Sequence, residues 1–362
     1  MRNTYIDNWE TVKDRFEKWW KRESWERPLM HIVASGKTSK NITVVENDRE
    51  PKDKYLNTLN IIRKYRNFCE THYFLADAFP AANINLGPGS MALYLGGEPE
   101  FAWDTVWYRE MCSGPEEFRD LHYDEENHWW KFHQNMMKEA VKLSAGDFYV
   151  NIPDIIENLD ILSALRGPQN LCFDILDNPQ AVLEGSKKIS ALYFKYYDRC
   201  YDLLKDRDSS SSYTAFCVMG RGRAAKIQSD FCALISPQVF RELIQPSLAM
   251  QCRTLDYSVY HLDGSDAIKH IPALMEIREL NALQWTCGAG KPDGGSPDWY
   301  PIYDQVRAAG KGLHITINDG APEDWEQSAK RLVKRYGATG LYLLFPDFPD
   351  LASAQRMASL FG

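Results

Sequence analysis

Short apolar runs recur along the chain, separated by stretches long enough for a helix. Eight stand out, at 29–34, 82–86, 148–152, 214–218, 257–262, 282–286, 313–317 and 341–345. The segments between them carry helix-start signals, such as Ser236-Pro237-Gln238 and Pro322-Glu323-Asp324, with proline at a first helical position. Strands alternating with helices make βαβ units and a parallel sheet. Eight such units are the count of an α/β fold of the (β/α)8 barrel type. A doubly wound open sheet is the alternative, but no GxGxxG follows an early strand.

Around this frame the pattern predicts further pieces. Trp9, Val12, Phe16, Trp19 and Trp20 share a 3.6-residue period, so 8–26 reads as an amphipathic helix, and the first 28 residues as a cap on one end of the barrel. A helix is expected over 54–72 after a loop at 35–53. The stretch 87–146 reads as an insertion over the C-terminal face, with a small hairpin and a helix near 126–143. Two loops are expected, the serine-rich 206–213 and the glycine-rich 288–299. The whole of 1–362 is read as one domain.

Alternation along the strands decides which side chains look inward. In the seventh run Leu313, Ile315 and Ile317 form an apolar face toward the helices, leaving His314, Thr316 and Asn318 inside. The same reasoning turns Asn83, Asn85 and Asn151 inward, together with His261 and Asp263. A purely structural interior would use Val, Ile and Leu, because each unsatisfied buried polar group costs on the order of 1–3 kcal/mol. The polar set therefore reads as a functional cavity, or else as a self-satisfied network with trapped water.

His261 and Asp263 end the fifth strand, where barrel enzymes place their chemistry. The pair suits acid–base work by His261 with Asp263 orienting it, ligation of a metal such as Zn²⁺, or hydrogen bonding to a polar ligand. The plainer alternative makes Asp263 a helix cap and His261 a core histidine. Cys287, ending the next strand, is a third metal ligand or a small packed residue. Asp230 binds substrate or caps a helix. Trp285 is a stacking surface for substrate or part of the core.

Charge and composition narrow the classes. A net charge of −8 argues against a general nucleic-acid surface. No apolar run suggests a membrane span or a secretory leader, and the eight cysteines show no CxxC pair, so a cytoplasmic setting with free thiols is expected. The 11 Trp and 19 Tyr fit either a large core or an aromatic pocket, which keeps a carbohydrate-active barrel among the alternatives.

Three blocks resemble the uroporphyrinogen decarboxylase superfamily, which includes cobamide-dependent methyltransferases. They are 158–179 (NLDILSALRGPQNLCFDILDNP), 228–246 (QSDFCALISPQVFRELIQP) and 260–277 (YHLDGSDAIKHIPALMEI). The resemblance runs from about residue 145 to the end. It implies a (β/α)8 barrel and a methyltransferase that moves a methyl group between a corrinoid on a partner protein and a small substrate. That branch uses zinc on a His-x-Cys pair; the pair here is His261-x-Asp263. The alternatives are a decarboxylase-type lyase, which needs cationic groups such as Lys37, Lys40, Arg166, Arg221 or Arg223 at the cavity mouth, and a barrel that binds a small ligand without catalysis.

Overall fold

Residues 1–2 and 4–362 are described by a computed structural model. The strands are β1 (Leu29–Ser35), β2 (His72–Ala76), β3 (Ala81–Ala82), β4 (Pro99–Phe101), β5 (Val106–Tyr108), β6 (Tyr149–Val150), β7 (Ser210–Tyr213), β8 (Val218–Arg221), β9 (Ala224–Gln228), β10 (Tyr257–Asp263), β11 (Ala282–Thr286), β12 (Gly312–Thr316) and β13 (Leu341–Leu344). Seven form one sheet in the order β2-β1-β13-β12-β11-β10-β9. Every pair in it is parallel except β1 with β2. Helices alternate with the parallel strands, so this is a mixed α/β fold.

The hydrogen-bonded ladder does not close into an eight-stranded ring. β3 and β6 pair in parallel as a separate two-stranded sheet, and a bridge from Ile152 to Tyr213 continues that sheet toward β7. Both strands are short for a local reason: Pro80 precedes β3 and Pro153 follows β6, and proline has no N–H to extend a ladder. The outer edge of β1 is taken by antiparallel β2, from His31↔Ala76 to Ser35↔His72.

The fourth expected strand is also displaced. Residues 214–217 form a turn, and the flanking residues pair as the antiparallel hairpin β7–β8. The second half of the serine-rich stretch 206–213 read as a loop is β7. Ser210, Ser211 and Ser212 are buried, and Ser211 donates to the Gly222 carbonyl at 2.6 Å. The strand that joins the main sheet here is β9.

The amphipathic helix forms as expected, over Trp9–Lys21, with Trp9, Val12, Phe16, Trp19 and Trp20 buried. It closes the N-terminal ends of the strands. Trp20 stacks on Tyr257, the first residue of β10, and donates to the Met219 carbonyl at 2.8 Å. Beside it Asp77, fully buried, accepts from Arg27 at 2.6 Å, Arg15 at 2.9 Å and the Met30 N–H at 2.8 Å. With this end sealed, the opposite ends of the strands are left to carry a site. The insertion holds the hairpin β4–β5 and the helix His128–Ser144. The expected helix over 54–72 is two pieces, Asp53–Leu56 and Thr58–Thr71. No helix among the described residues is long and apolar enough to cross a membrane.

Candidate active site

The parallel register sets three strand ends side by side, pairing His261 with Gln228 on β9 and with Gln284 on β11. Asp263 lies two residues beyond His261 on the same face of β10, and Asp230 two residues beyond Gln228. One donor atom from each of Asp230, His261 and Asp263 lies within 4.8 Å of the others.

The environment of His261 fixes its tautomer. Its Nδ1 lies 2.5 Å from Gln284 Oε1, while the Gln284 amide nitrogen donates to the Trp285 carbonyl at 2.9 Å and to Thr286 Oγ1 at 3.0 Å. The amide oxygen therefore faces His261, Nδ1 carries the proton, and Nε2 keeps its lone pair. Burial, and then the Lys226 ammonium, push the imidazole pKa down, so the ring is held neutral. Asp263 makes no side-chain hydrogen bond among the described residues, and the short helix that follows is not capped by a side chain. The helix-cap reading of Asp263 therefore fails.

A second layer holds this group. Gln228 donates to Asp230 Oδ2 at 2.7 Å and also receives the buried Lys226 ammonium. Lys226 forms an ion pair with Asp154 at 2.7 Å, and Tyr213 donates to the other Asp154 oxygen at 3.0 Å. Asp160 accepts from the backbone N–H groups of Asp230 and Phe231, both at 2.9 Å. Burial, and next the neighbouring Asp230 carboxylate, push Asp160 up; Asp230 is raised as well, while its side chain and that of Asp263 stay open to solvent at the rim. Crowded acids of this kind favour a proton or a cation between them.

Beside Asp230 and Asp160 opens a cavity of about 520 Å³. Val106, Trp107, Ile156, Ile161, Phe231 and Leu234 supply its apolar wall, and among the described residues no Lys, Arg or His lines it. The loop carrying Ile156 and Asn158 holds both at positive φ, 48° and 54°. Such strain collects at functional sites.

The other expected residues divide. Asn83 and Asn151 do meet, at 2.6 Å, and Thr214 joins them at 2.9 Å from Asn83. The side-chain oxygen of Asn85 is buried without a partner. Asn318 is exposed at the rim. His314 looks inward but lies under the 214–217 turn, fully buried and hydrogen-bonded to the Phe216 carbonyl at 2.8 Å, so it cannot meet a substrate. Trp285 and Cys287 are corrected. Since Gln284 and Thr286 face His261, alternation turns Trp285 and Cys287 to the other side of β11. Trp285 is 1% exposed and packs on Trp299, and Cys287 is outside the metal-competent cluster. Asp230 takes the place expected of Cys287.

Sequence reasoning missed Gln284, Lys226, Asp154, Asp160 and Phe216. Gln284 and Lys226 carried a signal, as polar residues inside otherwise apolar strand stretches. Asp154 and Asp160 carried none, because they act from an irregular loop and the first turn of a helix.

No protein-family profile matches the chain, and no curated protein does. Among solved structures it is similar to a methyltransferase from Methanosarcina mazei, with a TM-score of 0.64 at 10% sequence identity, over 96% of each chain. The two share a fold across nearly their whole length.

Proposed function

We propose that this chain is a metal-dependent methyltransferase on a (β/α)8 plan, a divergent member of the uroporphyrinogen decarboxylase superfamily. The strand order supports the plan. From β13 back to β9 it is strictly sequential, and β1 lies against β13, so first and last parallel strands meet as in a barrel. The observation that carries the chemistry is the convergence of Asp230, His261 and Asp263 at the C-terminal strand ends.

The donor set fits zinc: one neutral imidazole nitrogen and two carboxylate oxygens, with the His261 N–H held by an outer partner. A bound zinc ion supplies Lewis acidity that lowers the pKa of a coordinated thiol or hydroxyl. Gln284 keeps the His261 lone pair aimed at the centre. Gln228 orients Asp230, and Asp154 neutralises Lys226 so that its charge does not oppose a cation. The cavity, which meets the centre at Asp230, offers a small substrate an apolar wall. The methyl group is exchanged with a corrinoid carried by a partner protein, a reading that rests on the 228–246 and 260–277 sequence blocks.

The decarboxylase alternative finds less support. Arg166 is paired with Asp174, Arg221 with Glu10 and Asp14, and Arg223 with Asp198, and neither these nor Lys37 and Lys40 line the cavity. A polycarboxylate substrate has no cation waiting for it. Nor does the carbohydrate reading gain. Asp230 and Asp263 do not flank the cavity as an opposed pair: their oxygens converge with a His261 nitrogen in one cluster, and only Asp230 lines the cavity.

The test is demethylation of methylcobalamin by the purified protein with a panel of thiols and related acceptors, with and without added zinc. Acceleration that disappears in His261→Ala and Asp263→Ala supports the proposal. No acceleration with any acceptor counts against methyl transfer. A ligand affinity unchanged in both variants would favour a binding protein.

A further inference from the structure

The turn between β7 and β8 does more than join two strands. Its last two residues, Phe216 and Cys217, sit at φ of 62° and 51°, a region costly for any residue with a Cβ, and more so for a bulky one. Each strained peptide is held by a donor from the main sheet. His314 Nε2 donates to the Phe216 carbonyl at 2.8 Å, and the Tyr342 hydroxyl to the Cys217 carbonyl at 2.7 Å. The start of the turn is anchored on the other side, Thr214 donating through its N–H to Ile152 at 3.1 Å and through its hydroxyl to Asn83 at 2.9 Å. The tip is thus tied to β12, β13 and the ends of β3 and β6.

These ties place the Phe216 ring against the imidazole of His261, centroids 4.9 Å apart and planes at 37°, with its edge toward His314 at 5.7 Å. Gln284 grips the imidazole at Nδ1, and Phe216 lies against the ring itself. All four turn residues remain partly open. A turn that served only as core filling would be sealed from solvent. This one offers a partly exposed phenyl ring next to a candidate metal ligand.

We infer that Phe216 is a positioning residue of the site: the strained turn holds its ring against His261, fixing the orientation in which Nε2 meets a metal, and forms an apolar floor beside it. This rests on the metal reading above, so the test needs one measurement with metal and one without. The first is Co²⁺ titration of wild type, Phe216→Ala, Phe216→Tyr and a distant core control, Phe118→Leu. Loss of an orienting partner weakens a metal site by about 10–100-fold. Phe216→Ala is expected to weaken Co²⁺ binding by about 10-fold or more, with Phe216→Tyr and Phe118→Leu near wild type.

The second measurement is the ¹⁵N signature of the His261 ring in metal-free protein. Wild type is expected to show the Nδ1–H tautomer alone; without the Phe216 ring the imidazole is free to turn away from Gln284, and Phe216→Ala is expected to show a mixture of both. If wild type binds no Co²⁺ but the tautomer still mixes in Phe216→Ala, the metal reading fails and the positioning role stands. If wild type binds Co²⁺ and Phe216→Ala keeps both its affinity and a single tautomer, the inference is overturned. Loss of affinity in Phe118→Leu equal to that in Phe216→Ala would overturn it as well, by showing a general effect of destabilisation.

Discussion

Glu157 is 1% exposed, and neither carboxylate oxygen has a hydrogen-bond partner. Burial pushes its pKa up to about 7, with the Ser190 and Ser247 side chains nearby acting in the opposite direction. In the unfolded chain the group titrates near its ordinary 4.5. The folded state therefore holds a carboxylate at a disadvantage wherever both states are ionised. Above pH 7 the cost is complete; it shrinks as pH falls toward the unfolded value and is absent once both states are protonated. A shift of roughly 2.5 units is worth about 3 kcal/mol at 1.36 kcal/mol per unit. Glu157→Gln keeps the shape and removes the charge. A chain of 362 residues has an unfolding entropy of roughly 0.75 kcal/mol/K, so a gain of about 3 kcal/mol raises Tm by about 4 °C at pH 8. At pH 5 less than a third of the gain remains, about 1 °C. Paired thermal melts of wild type and variant at the two pH values measure this. Equal shifts at both, or a lower Tm at pH 8, would show that the carboxylate is not destabilised by its surroundings.

Removing Asp77 leaves Arg27 and Arg15 without their buried partner, so Asp77→Ala should lower stability by about 3–5 kcal/mol in denaturant unfolding and cut the yield of folded protein. Cys287→Ser should leave metal affinity and any methyl-transfer rate within about twofold of wild type, because the thiol faces away from His261; a larger loss would return Cys287 to the ligand set. His31, His133 and His314 are buried and pushed down to about 4, burial being the main cause in each. Their folded pKa values lie below the unfolded value, so the stability they contribute is present above pH 6.5 and lost as pH falls toward 4. Glu157, Asp160 and Asp230, all raised, work in the opposite direction over the same interval. Net uptake of protons on unfolding near pH 5 by potentiometry would show the histidines dominate, and net release would show they do not.

Much of the framework was legible in the sequence because periodicity is local. β1, β10, β11, β12 and β13 appear within a residue or two of their apolar runs, and the Trp9–Lys21 helix follows its aromatic stripe. The failures have nonlocal causes. The serine tract carries no hydrophobic signal, yet Ser210–Ser212 are buried in β7, which pairs with β8 and is bridged through Tyr213 to Ile152 beyond β6. Residues 214–218 look like a strand, but their tip is turned inward by His314 and Tyr342, which lie some hundred residues further on. β2 was hidden in a run that also suits the end of a helix. At the site, His261, Asp263 and Asp230 could be read from strand-end position. Cys287 was misplaced because the facing of β11 is decided by Gln284 meeting His261 across the strands, a contact that no single segment reveals.

The central claim is that Asp230, His261 and Asp263 form a metal site, and metal titration tests it most directly. Metal-free wild-type protein, titrated with Zn²⁺ by calorimetry and with Co²⁺ by absorption, should bind one ion per chain. His261→Ala and Asp263→Ala should each lose that binding while keeping a wild-type melting temperature. A protein that takes up no ion, or variants that bind it as tightly as wild type, would contradict the account.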